Sequence, residues 1–339
     1  MTRSARIAVV GLGRIGALHA RNVALRACGC ELAWVVDVRA DRAHDLGEEL
    51  GVASAATLDA VMEDPEVDGV IVATPTPTHA ALVHRAAHHR KHVLCEKPIA
   101  LELAPTWSAV RAARDAGVHL QLGFQRRFDP DLIRVHEAVV GGQLGEIRSF
   151  RSTHRNARPP EAMDAQALGG VLVDVAIHDF DLARWLVGEI VEVSAMGVDL
   201  AGSASNDAAA AAHAVTILRF ATGVIGTVES SRTVGYGFDG SVELVGTDAT
   251  IRVGGQRHAD DVEWLTPGRA TTALVADHAE WHREAYVREL EHFARVIEGD
   301  LPPSVSGEDG AAAFVVASAA SQSLREGRPV KLRTTETPV

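Results

Sequence analysis

The sequence predicts an α/β protein with an N-terminal, doubly wound parallel sheet and a C-terminal α+β domain. Three observations support this fold class. The first third of the chain alternates short apolar runs with amphipathic helical stretches, and a glycine-rich turn follows the first run. After about residue 123, longer strand-like stretches replace that alternation. Since 339 residues suit about two domains, we expect domains at residues 1–123 and 124–339.

The strands of the N-terminal domain are predicted from short, continuously apolar runs, which are typical of strands buried on both faces. These runs are Arg6–Val10, Glu31–Val38, Gly69–Ala73, Lys91–Cys95 and His119–Leu122. Helical patterns separate these runs. The first follows the glycine-rich turn and continues to about Ala27, and the others are Asp41–Leu50, Thr78–His89 and Leu103–Ala116. Because parallel strands need crossover connections, this order predicts right-handed strand–helix–strand units in one sheet.

The C-terminal domain is predicted to contain a large, mostly antiparallel open sheet. Its strand candidates are Glu146–His154, Glu192–Asp199, Ala214–Phe220, Val224–Ser231, Ser241–Val245, Thr250–Val253 and Pro329–Leu332. Helical patterns lie at Asp129–Val140, Glu280–Glu298 and Glu308–Glu326. The residues 220–224 read as a hairpin turn, which favours antiparallel pairing of the strands around it.

Composition excludes several classes of partner. The formal net charge is -12 and no basic stripe is present, so we expect no nucleic-acid partner. No apolar run is long enough for a membrane helix, and the N-terminus leaves no room for a signal peptide. Three cysteines in so long a chain fit a reducing cytoplasm. We expect a soluble, cytoplasmic protein that binds small molecules without a metal.

The turn after the first strand carries the motif G-x-G-x-x-G. Gly11 would permit the tight turn, Gly13 would let the backbone approach a pyrophosphate, and Gly16 would let the helix pack close to the sheet. Arg14 and Ile15 complete the motif and open the helix, whose N-terminus offers free N–H groups to phosphates. The position between a strand and a helix is the context that a dinucleotide site requires.

Two further loops contribute to the predicted cofactor site. Asp37 ends the second strand about 20 residues after the turn, where a carboxylate accepts ribose hydroxyls of NAD and repels the extra phosphate of NADP. The loop from Thr74 to His79 contains two prolines and leaves the carboxyl end of another strand. Such a stiff loop would give the nicotinamide a fixed wall, with Thr74 and His79 as candidate contacts. We therefore predict NAD as the cofactor.

Lys97 is the first candidate for proton chemistry. It follows the strand that ends near Cys95, so it lies at the carboxyl edge where ligands of open α/β sheets bind. Glu96 precedes it and Pro98 follows it, which fixes the backbone there. A lysine at this place can hydrogen-bond a substrate oxygen and stabilise its alkoxide-like form as hydride leaves.

Asp174 and His178 are the second candidate group. They are four residues apart in a stretch with helical pattern running to about Val187, so on a helix they share one face. A histidine near its free pKa can shuttle a proton at neutral pH, and a carboxylate one turn away can orient its ring. Paired glycines at 169 and 170 would let the chain approach a neighbour closely. A purely structural Asp–His pair is the alternative.

Five motifs together resemble the Gfo/Idh/MocA oxidoreductase family. They are GLGRIG, ATPTPTH, CEKP, GFQRRFD and GGVLVDVAIHDFD, and their order and spacing cover essentially the whole chain. The resemblance implies a Rossmann domain, a C-terminal sheet whose exposed face forms an oligomer, often a tetramer, and a cis peptide bond at Pro98. It places Glu96 near the nicotinamide ribose and makes Lys97, Asp174 and His178 the catalytic group.

Within the family, the chain most resembles the members that oxidise myo-inositol at C2. This likeness implies a polyol pocket lined by Arg127, His154, Asn156, Asp181 and Tyr236, bordered by residues 158–164. We expect oxidation of a secondary hydroxyl of a small polyol with NAD. Alternatives are a dehydrogenase or reductase of another inositol isomer, an inosamine or a sugar, and a non-catalytic NAD sensor.

Overall fold

A computed structural model describes residues 3–157, 169–200, 202–205, 207–255, 258–266 and 269–332. In the first half of the chain the elements are β1 (Ala5–Val10), α1 (Arg14–Leu25), β2 (Cys30–Val36), α2 (Ala40–Leu50), β3 (Ala53–Ala55), α3 (Asp59–Glu63), β4 (Gly69–Val72), α4 (His79–His88), β5 (His92–Glu96), α5 (Leu103–Asp115), β6 (Leu120–Gly123), α6 (Pro130–Val140) and β7 (Ile147–Arg155).

The second half continues with α7 (Val171–Asp174), α8 (Ile177–Val187), β8 (Ile190–Val198), β9 (His213–Phe220), β10 (Ile225–Ser231), β11 (Asp239–Gly246), β12 (Thr250–Gly255), β13 (His258–Thr266), β14 (Arg269–Leu274), α9 (His278–Trp281), α10 (Arg283–Ile297), α11 (Gly307–Glu326) and β15 (Val330–Lys331). None of the helices in these described ranges is both long and apolar enough to cross a membrane.

The N-terminal sheet has six strands in the order β3-β2-β1-β4-β5-β6, and every neighbouring pair is parallel. The predicted doubly wound sheet is therefore confirmed. The order reverses between β1 and β4, and the loops after these strands lie at the same edge of the sheet. Strand β3 was not predicted, because its three small residues have no clear apolar periodicity.

The chain divides into two compact units. The first contains the residues up to Asp129 together with Glu284–Ala311, and the second contains Pro130–Arg283 together with the residues from Ala312 onward. The first unit thus continues beyond residue 123, the boundary expected from sequence, and it takes in most of α10. The second expected domain, residues 124–339, is interrupted by this returning segment.

Helix α10 belongs to the first unit because its apolar face completes the core on one side of the parallel sheet. Val287, Leu290 and Phe293 are buried in one cluster with side chains of β1, α1, β2, α2, β4 and β5. Gly69 at the start of β4 makes the approach possible, since a Cβ there would lie 2.7 Å from Cδ1 of Ile297. A sequence pattern predicts the helix but does not say which sheet it covers.

The second unit contains a seven-stranded sheet in the order β12-β11-β7-β10-β9-β8-β15. Only the β7–β10 pair is parallel among its neighbouring strands in the described residues, which confirms the mostly antiparallel prediction. The predicted hairpin joins β9 to β10, where the N–H of Phe220 donates to the carbonyl of Val224. A separate ribbon of β13 and β14 was not predicted, because its strands lack a clear apolar alternation.

One helical prediction for the second unit was wrong in detail. The single helix expected up to Val187 is two helices, α7 and α8, separated by Val175 and Ala176. Both separating residues keep right-handed helical backbone angles. The one-turn spacing of Asp174 and His178 along the chain is therefore retained although the regular hydrogen-bond pattern is interrupted. Similarly, the helix predicted from Glu280 is split into α9 and α10 at His282.

Substitution of Phe293 by alanine tests the assignment of α10 to the first unit. Phe293 is fully buried, so its truncation should lower the free energy of unfolding by about 3–5 kcal/mol, measured by urea denaturation. The matched control is Leu25→Ala in the same unit, where the side chain is 73% exposed and the change should stay within about 0.5 kcal/mol. Equal midpoints for the two variants would contradict the packing described.

Candidate active site

The glycine turn after β1 meets the requirements of a dinucleotide site. Gly11 has a φ of +86°, and a Cβ there would lie 2.7 Å from the backbone nitrogen of Thr74. A Cβ on Gly16 would lie 1.7 Å from the carbonyl oxygen of Gly11, so the helix can pack here only without a side chain. A Cβ on Gly13 would meet no protein atom within 4 Å. The protein's own packing requires Gly11 and Gly16, whereas Gly13 leaves open space for a ligand.

Helix α1 begins at Arg14, directly after Gly13 and before Ile15, and no side chain caps its N-terminus. The helix dipole favours negative charge at this N-terminus, where helical N–H groups can bind a phosphate. The arrangement fits the pyrophosphate of a dinucleotide.

Asp37 lies one residue beyond β2 and is held by the same turn. Its Oδ2 accepts from the N–H of Leu12 at 2.7 Å, and its Oδ1 accepts from the N–H of Arg39 at 2.9 Å. Arg42 Nη1 lies 3.5 Å from Oδ2. These three partners of Asp37, namely Leu12, Arg39 and Arg42, line part of a groove of about 370 Å³. The groove and the fixed carboxylate fit the adenosine end of NAD.

His79 ties together the loops that follow β4 and β5. The side chain is buried, with Nδ1 2.9 Å from the carbonyl oxygen of Pro98 and Nε2 2.6 Å from that of Thr74. Burial lowers the pKa of His79, against the opposing effect of the two backbone carbonyls and of Glu96. The hydroxyl of Thr74 also bonds that of Thr78 at 2.7 Å. The predicted cofactor loop is thus fixed from within the protein.

Glu96 ends β5, and its carboxylate faces helix α1. His19 Nε2 lies 2.8 Å from Oε1 of Glu96. Burial by itself would raise the pKa of Glu96, but the hydrogen bond from His19, and then Lys97 and His79, hold it below its ordinary value. Lys97 follows directly, and the Lys97–Pro98 peptide bond is cis, as the resemblance implied. A charged carboxylate and a lysine therefore stand at the carboxyl edge of the parallel sheet.

Arg127 lies in a short 3-10 helix, Gln125–Phe128, at the end of the first unit. Its Nη1 donates to the carbonyl of Ser304 at 3.2 Å, and its Nη2 lies 3.2 Å from Oδ1 of Asp309. The side chain is almost fully buried. The structure therefore places this predicted substrate residue in an ion pair of the first unit, with a partly exposed carboxylate partner.

In the second unit, Asp174 ends α7 and His178 lies in the first turn of α8. Gly170 precedes α7 with a φ of +81°, and a Cβ there would lie 2.0 Å from the carbonyl oxygen of Ala208. This close approach is what the paired glycines predicted. Asp181, one turn beyond His178, is almost fully buried on the same helix.

A buried hydrogen-bond network that the sequence analysis missed orients His154. The carboxylate of Asp179 is fully buried, and it accepts from the hydroxyl of Ser152 and from Nδ1 of His154 at 3.2 Å. The rings of His154 and His178 have centroids 5.9 Å apart. Because a carboxylate accepts, Nδ1 of His154 is the donor in this contact, and Nε2 is the ring nitrogen that the contact does not use. Asp179 could have been suspected from its place in the HDFD segment.

Of the remaining predicted pocket residues, Asn156 directly follows β7 and Tyr236 lies three residues before β11. Asn156 bonds through its backbone, accepting from Val234 and donating to Ser231 at 2.8 and 3.0 Å. The Tyr236 hydroxyl accepts from Arg155 and donates to Asp239 at 2.8 Å. Burial, together with Asp239, raises the pKa of Tyr236. Residues 158–164, expected to border the pocket, lie outside the described residues.

The structure therefore groups the predicted residues into two sets. The first unit contains the glycine turn, Asp37, the loop from Thr74 to His79, Glu96, Lys97 and Arg127. The second unit contains His154, Asn156, Asp174, His178, Asp181 and Tyr236. No group of three or more His, Cys, Asp and Glu side chains within the described ranges is placed to hold a metal ion.

Comparison with known proteins identifies the family. A model of an oxidoreductase family with an NAD-binding Rossmann fold, named for Gfo, Idh and MocA, matches residues 5–124, and the C-terminal domain of the same family matches residues 132–252. The chain belongs to the Gfo/Idh/MocA oxidoreductase family. As a family member it is an NAD-dependent enzyme that acts on CH–OH groups.

The family relatives that resemble the chain match over nearly their full length. Myo-inositol 2-dehydrogenase of Thermotoga maritima is 38% identical over 329 residues, covering 96% of this chain and 98% of the relative. The NAD-dependent scyllo-inositol 2-dehydrogenase of Bacillus subtilis is 35% identical over 334 residues, covering 98% and 97%. A crystal structure described as a probable dehydrogenase from Thermotoga maritima has a TM-score of 0.90 at 37% identity, covering 96% and 98%.

Gly13→Ala separates a ligand role of the turn from a structural one. Because the added methyl meets no protein atom and φ at Gly13 is negative, the thermal midpoint should not change. The methyl would instead occupy the space of the pyrophosphate and weaken NAD+ binding about 10- to 100-fold, measured by calorimetric titration. Gly235→Ala is the control, since a Cβ there is equally unobstructed and NAD+ binding should be unaltered. Unchanged NAD+ affinity in Gly13→Ala would refute the site.

Proposed function

We propose that the chain oxidises myo-inositol at C2 to 2-keto-myo-inositol and transfers the hydride to NAD+. The observation that carries the proposal is that relatives covering 96% and 98% of this chain are both named as inositol 2-dehydrogenases. Glu96 and Lys97 at the carboxyl edge of the parallel sheet support the chemistry, as do the neighbouring rings of His154 and His178 in the second unit.

The cofactor contacts are proposed from the first unit. The segment from Gly11 to Gly16, including Arg14 and Ile15, would bind the pyrophosphate, and Asp37 would accept the hydroxyls of the adenosine ribose. Glu96 and Lys97 would face the nicotinamide end, with Thr74 at its side. Since both ring nitrogens of His79 contact backbone carbonyls, His79 would act by fixing this loop.

Lys97, Asp174 and His178 are proposed as the catalytic group. His178 accepts the proton of the substrate hydroxyl while the C–H bond breaks and the carbonyl forms. Asp174 stabilises the imidazolium that results, and Lys97 donates a hydrogen bond to the same oxygen as negative charge develops. When bound, NAD+ supplies the C4 atom that accepts the hydride, so the electrons and the proton both have acceptors.

The polyol pocket is proposed to include Arg127, His154, Asn156, Asp181 and Tyr236. Asp179 keeps Nδ1 of His154 protonated, so Nε2 would accept a hydrogen bond from a substrate hydroxyl. Tyr236 would present a hydroxyl already ordered by Arg155 and Asp239. A set of fixed donors and acceptors is what discrimination among polyol hydroxyls requires.

We further propose a cytoplasmic homotetramer formed through the open sheet of the second unit. Met196, Val215, Ile217 and Ile225 stand on one face of β8, β9 and β10, and each is at least 40% exposed. An exposed apolar face on three neighbouring strands is typical of an interface. The cytoplasmic assignment rests on the three cysteines, all of which are free.

The second candidate function is oxidation of scyllo-inositol, favoured by the Bacillus subtilis relative. Myo-inositol and scyllo-inositol differ only in the orientation of one hydroxyl. Oxidation at that carbon gives the same ketone from both, because the carbon becomes trigonal. The product therefore does not distinguish the two substrates, whereas the relative rates do.

A substrate panel tests the proposal. Purified protein with NAD+ should give a rise in the absorbance of reduced nicotinamide with myo-inositol, and a higher kcat/KM than with scyllo-inositol, an inosamine or aldose sugars. NADP+ should support little turnover. A rise with another polyol alone would contradict the myo-inositol assignment, and NADH binding without turnover in either direction would favour a sensor.

Lys97→Met tests the catalytic group. Loss of the hydrogen-bond donor should lower kcat by about 10²- to 10³-fold, because one oxyanion contact is removed from the transition state. NAD+ binding should stay near that of the wild type, measured by fluorescence titration of NADH and NAD+. The control is Lys331→Met, on the exposed strand β15, with normal kcat expected. Near-normal turnover of Lys97→Met would rule out the role of Lys97.

A further inference from the structure

A cluster of buried polar side chains lies behind the proposed nicotinamide end of the cofactor site. It consists of His19 on α1, Glu96 at the end of β5, Gln121 on β6 and Glu289 on α10, and we call it the α1–α10 polar cluster. All four residues belong to the first unit. Of these, only Glu96 has a role in the chemistry proposed above, so the cluster's purpose is otherwise unexplained.

Strand register puts the members of the cluster on one face of the parallel sheet. Glu96 pairs with Gly123, and Leu94 pairs with Gln121. Because residues two positions apart on a strand share a face, the side chains of Leu94, Glu96 and Gln121 lie on the same face of the sheet. Leu94 lies in the apolar cluster that α10 covers. The absence of a side chain at Gly123 makes room for Glu96, since a Cβ there would lie 3.1 Å from its carboxyl carbon.

Helix α10 brings Glu289 into this polar patch. Gln121 Nε2 donates to the backbone carbonyl of Glu289 at 3.1 Å, which joins β6 to the helix. Tyr286, one turn earlier on α10, packs edge-on against the ring of His19 with centroids 5.6 Å apart. The helix therefore contacts both β6 and α1 around Glu96.

Glu289 is fully buried, and neither oxygen of its carboxyl group has a hydrogen-bond partner among the described residues. The titratable group nearest to it is Glu96 on β5; His19 on α1 and Lys97 in turn interact with Glu96, and Gln121 on β6 carries no charge. A buried carboxylate with no donor and with a negative neighbour is strongly disfavoured. Burial, and then the charge of Glu96, raise the pKa of Glu289 well above its ordinary value.

The surroundings therefore favour opposite forms of the two carboxyl groups. His19, Lys97 and His79 favour the charged form of Glu96, whereas burial without a hydrogen-bond donor favours the protonated form of Glu289. Pairs of neighbouring acids with different pKa values recur at sites of proton chemistry. The nicotinamide ring of NAD+ carries a positive charge that is lost on reduction. A second negative charge near the ring would therefore stabilise bound NAD+ more than bound NADH.

We propose that Glu289 is a buried proton-carrying residue that couples proton release to the oxidation state of the bound nicotinamide. Glu96 alone supplies the negative charge while Glu289 is neutral, and ionisation of Glu289 adds a second charge that favours NAD+ over NADH. The inference rests on the cofactor-binding part of the proposed function, because it takes the nicotinamide to bind beside Glu96.

The sign of the pH effect follows from this coupling. The positive NAD+ ring stabilises the Glu289 carboxylate, so the pKa of Glu289 is lower in the NAD+ complex than in the NADH complex. As pH rises through that range, the NAD+ complex loses its proton first and gains affinity. The ratio of Kd for NADH to Kd for NAD+ should therefore increase from neutral to alkaline pH, about tenfold for each unit by which the two pKa values differ.

Glu289→Gln tests the coupling, because glutamine copies the shape of the neutral acid but cannot ionise. We expect the variant to fold, to bind both cofactor forms at neutral pH within about threefold of the wild type, and to lose the alkaline increase in the Kd ratio. The matched control is Glu284→Gln on the exposed side of the same helix, which should retain the increase. The same pH dependence in Glu289→Gln and wild type would overturn the proposal.

A second measurement does not depend on cofactor binding. The infrared spectrum of the wild-type protein at neutral pH should contain the carbonyl stretch of a protonated carboxylic acid, and Glu289→Gln should lack it while Glu284→Gln keeps it. Absence of that band from the wild type would overturn the neutral state of Glu289. Failure of inositol turnover with intact NAD+ and NADH binding would instead count against the proposed function and leave this inference standing.

Discussion

The close approach of α1 to the parallel sheet is the constraint on which the first unit depends. It exists because a Cβ on Gly16 would lie 1.7 Å from the carbonyl oxygen of Gly11, so no side chain separates the helix from the turn. The approach points the uncapped helix N-terminus at the space left open by Gly13. It also places His19, one turn into the helix, 2.8 Å from Glu96 at the end of β5. One close approach thus positions both the glycine turn and the histidine that contacts the carboxylate at the end of β5.

Charges in both units are fixed by protein partners before any ligand binds. Asp37 is held by the backbone N–H groups of Leu12 and Arg39, and Glu96 by His19. In the second unit, Asp179 orients the ring of His154 through Nδ1. Fixed dipoles and charges of this kind need no rearrangement during reaction, which is why they stabilise a transition state more than flexible groups do.

Much of the fold could be predicted from sequence, because local patterns report it directly. The apolar runs located the main parallel strands, and the position of GLGRIG between a strand and a helix predicted the turn. Long-range packing could not be predicted in the same way. The periodicity of α10 does not state that Val287 and Phe293 complete the first core, and nothing local shows that Asp179 bonds Ser152 on a distant strand. Glu289 likewise reads as one charge among many on a solvated helix.

The proposed function depends on direct hydride transfer from C2 of an inositol to C4 of NAD+. The most direct test uses myo-inositol that carries deuterium at C2, with NMR analysis of the reduced cofactor. We predict that deuterium appears at C4 of the nicotinamide and that the ketone forms at C2. Turnover in which C4 of the reduced cofactor carries no deuterium, or in which the ketone forms at another carbon, would contradict the claim.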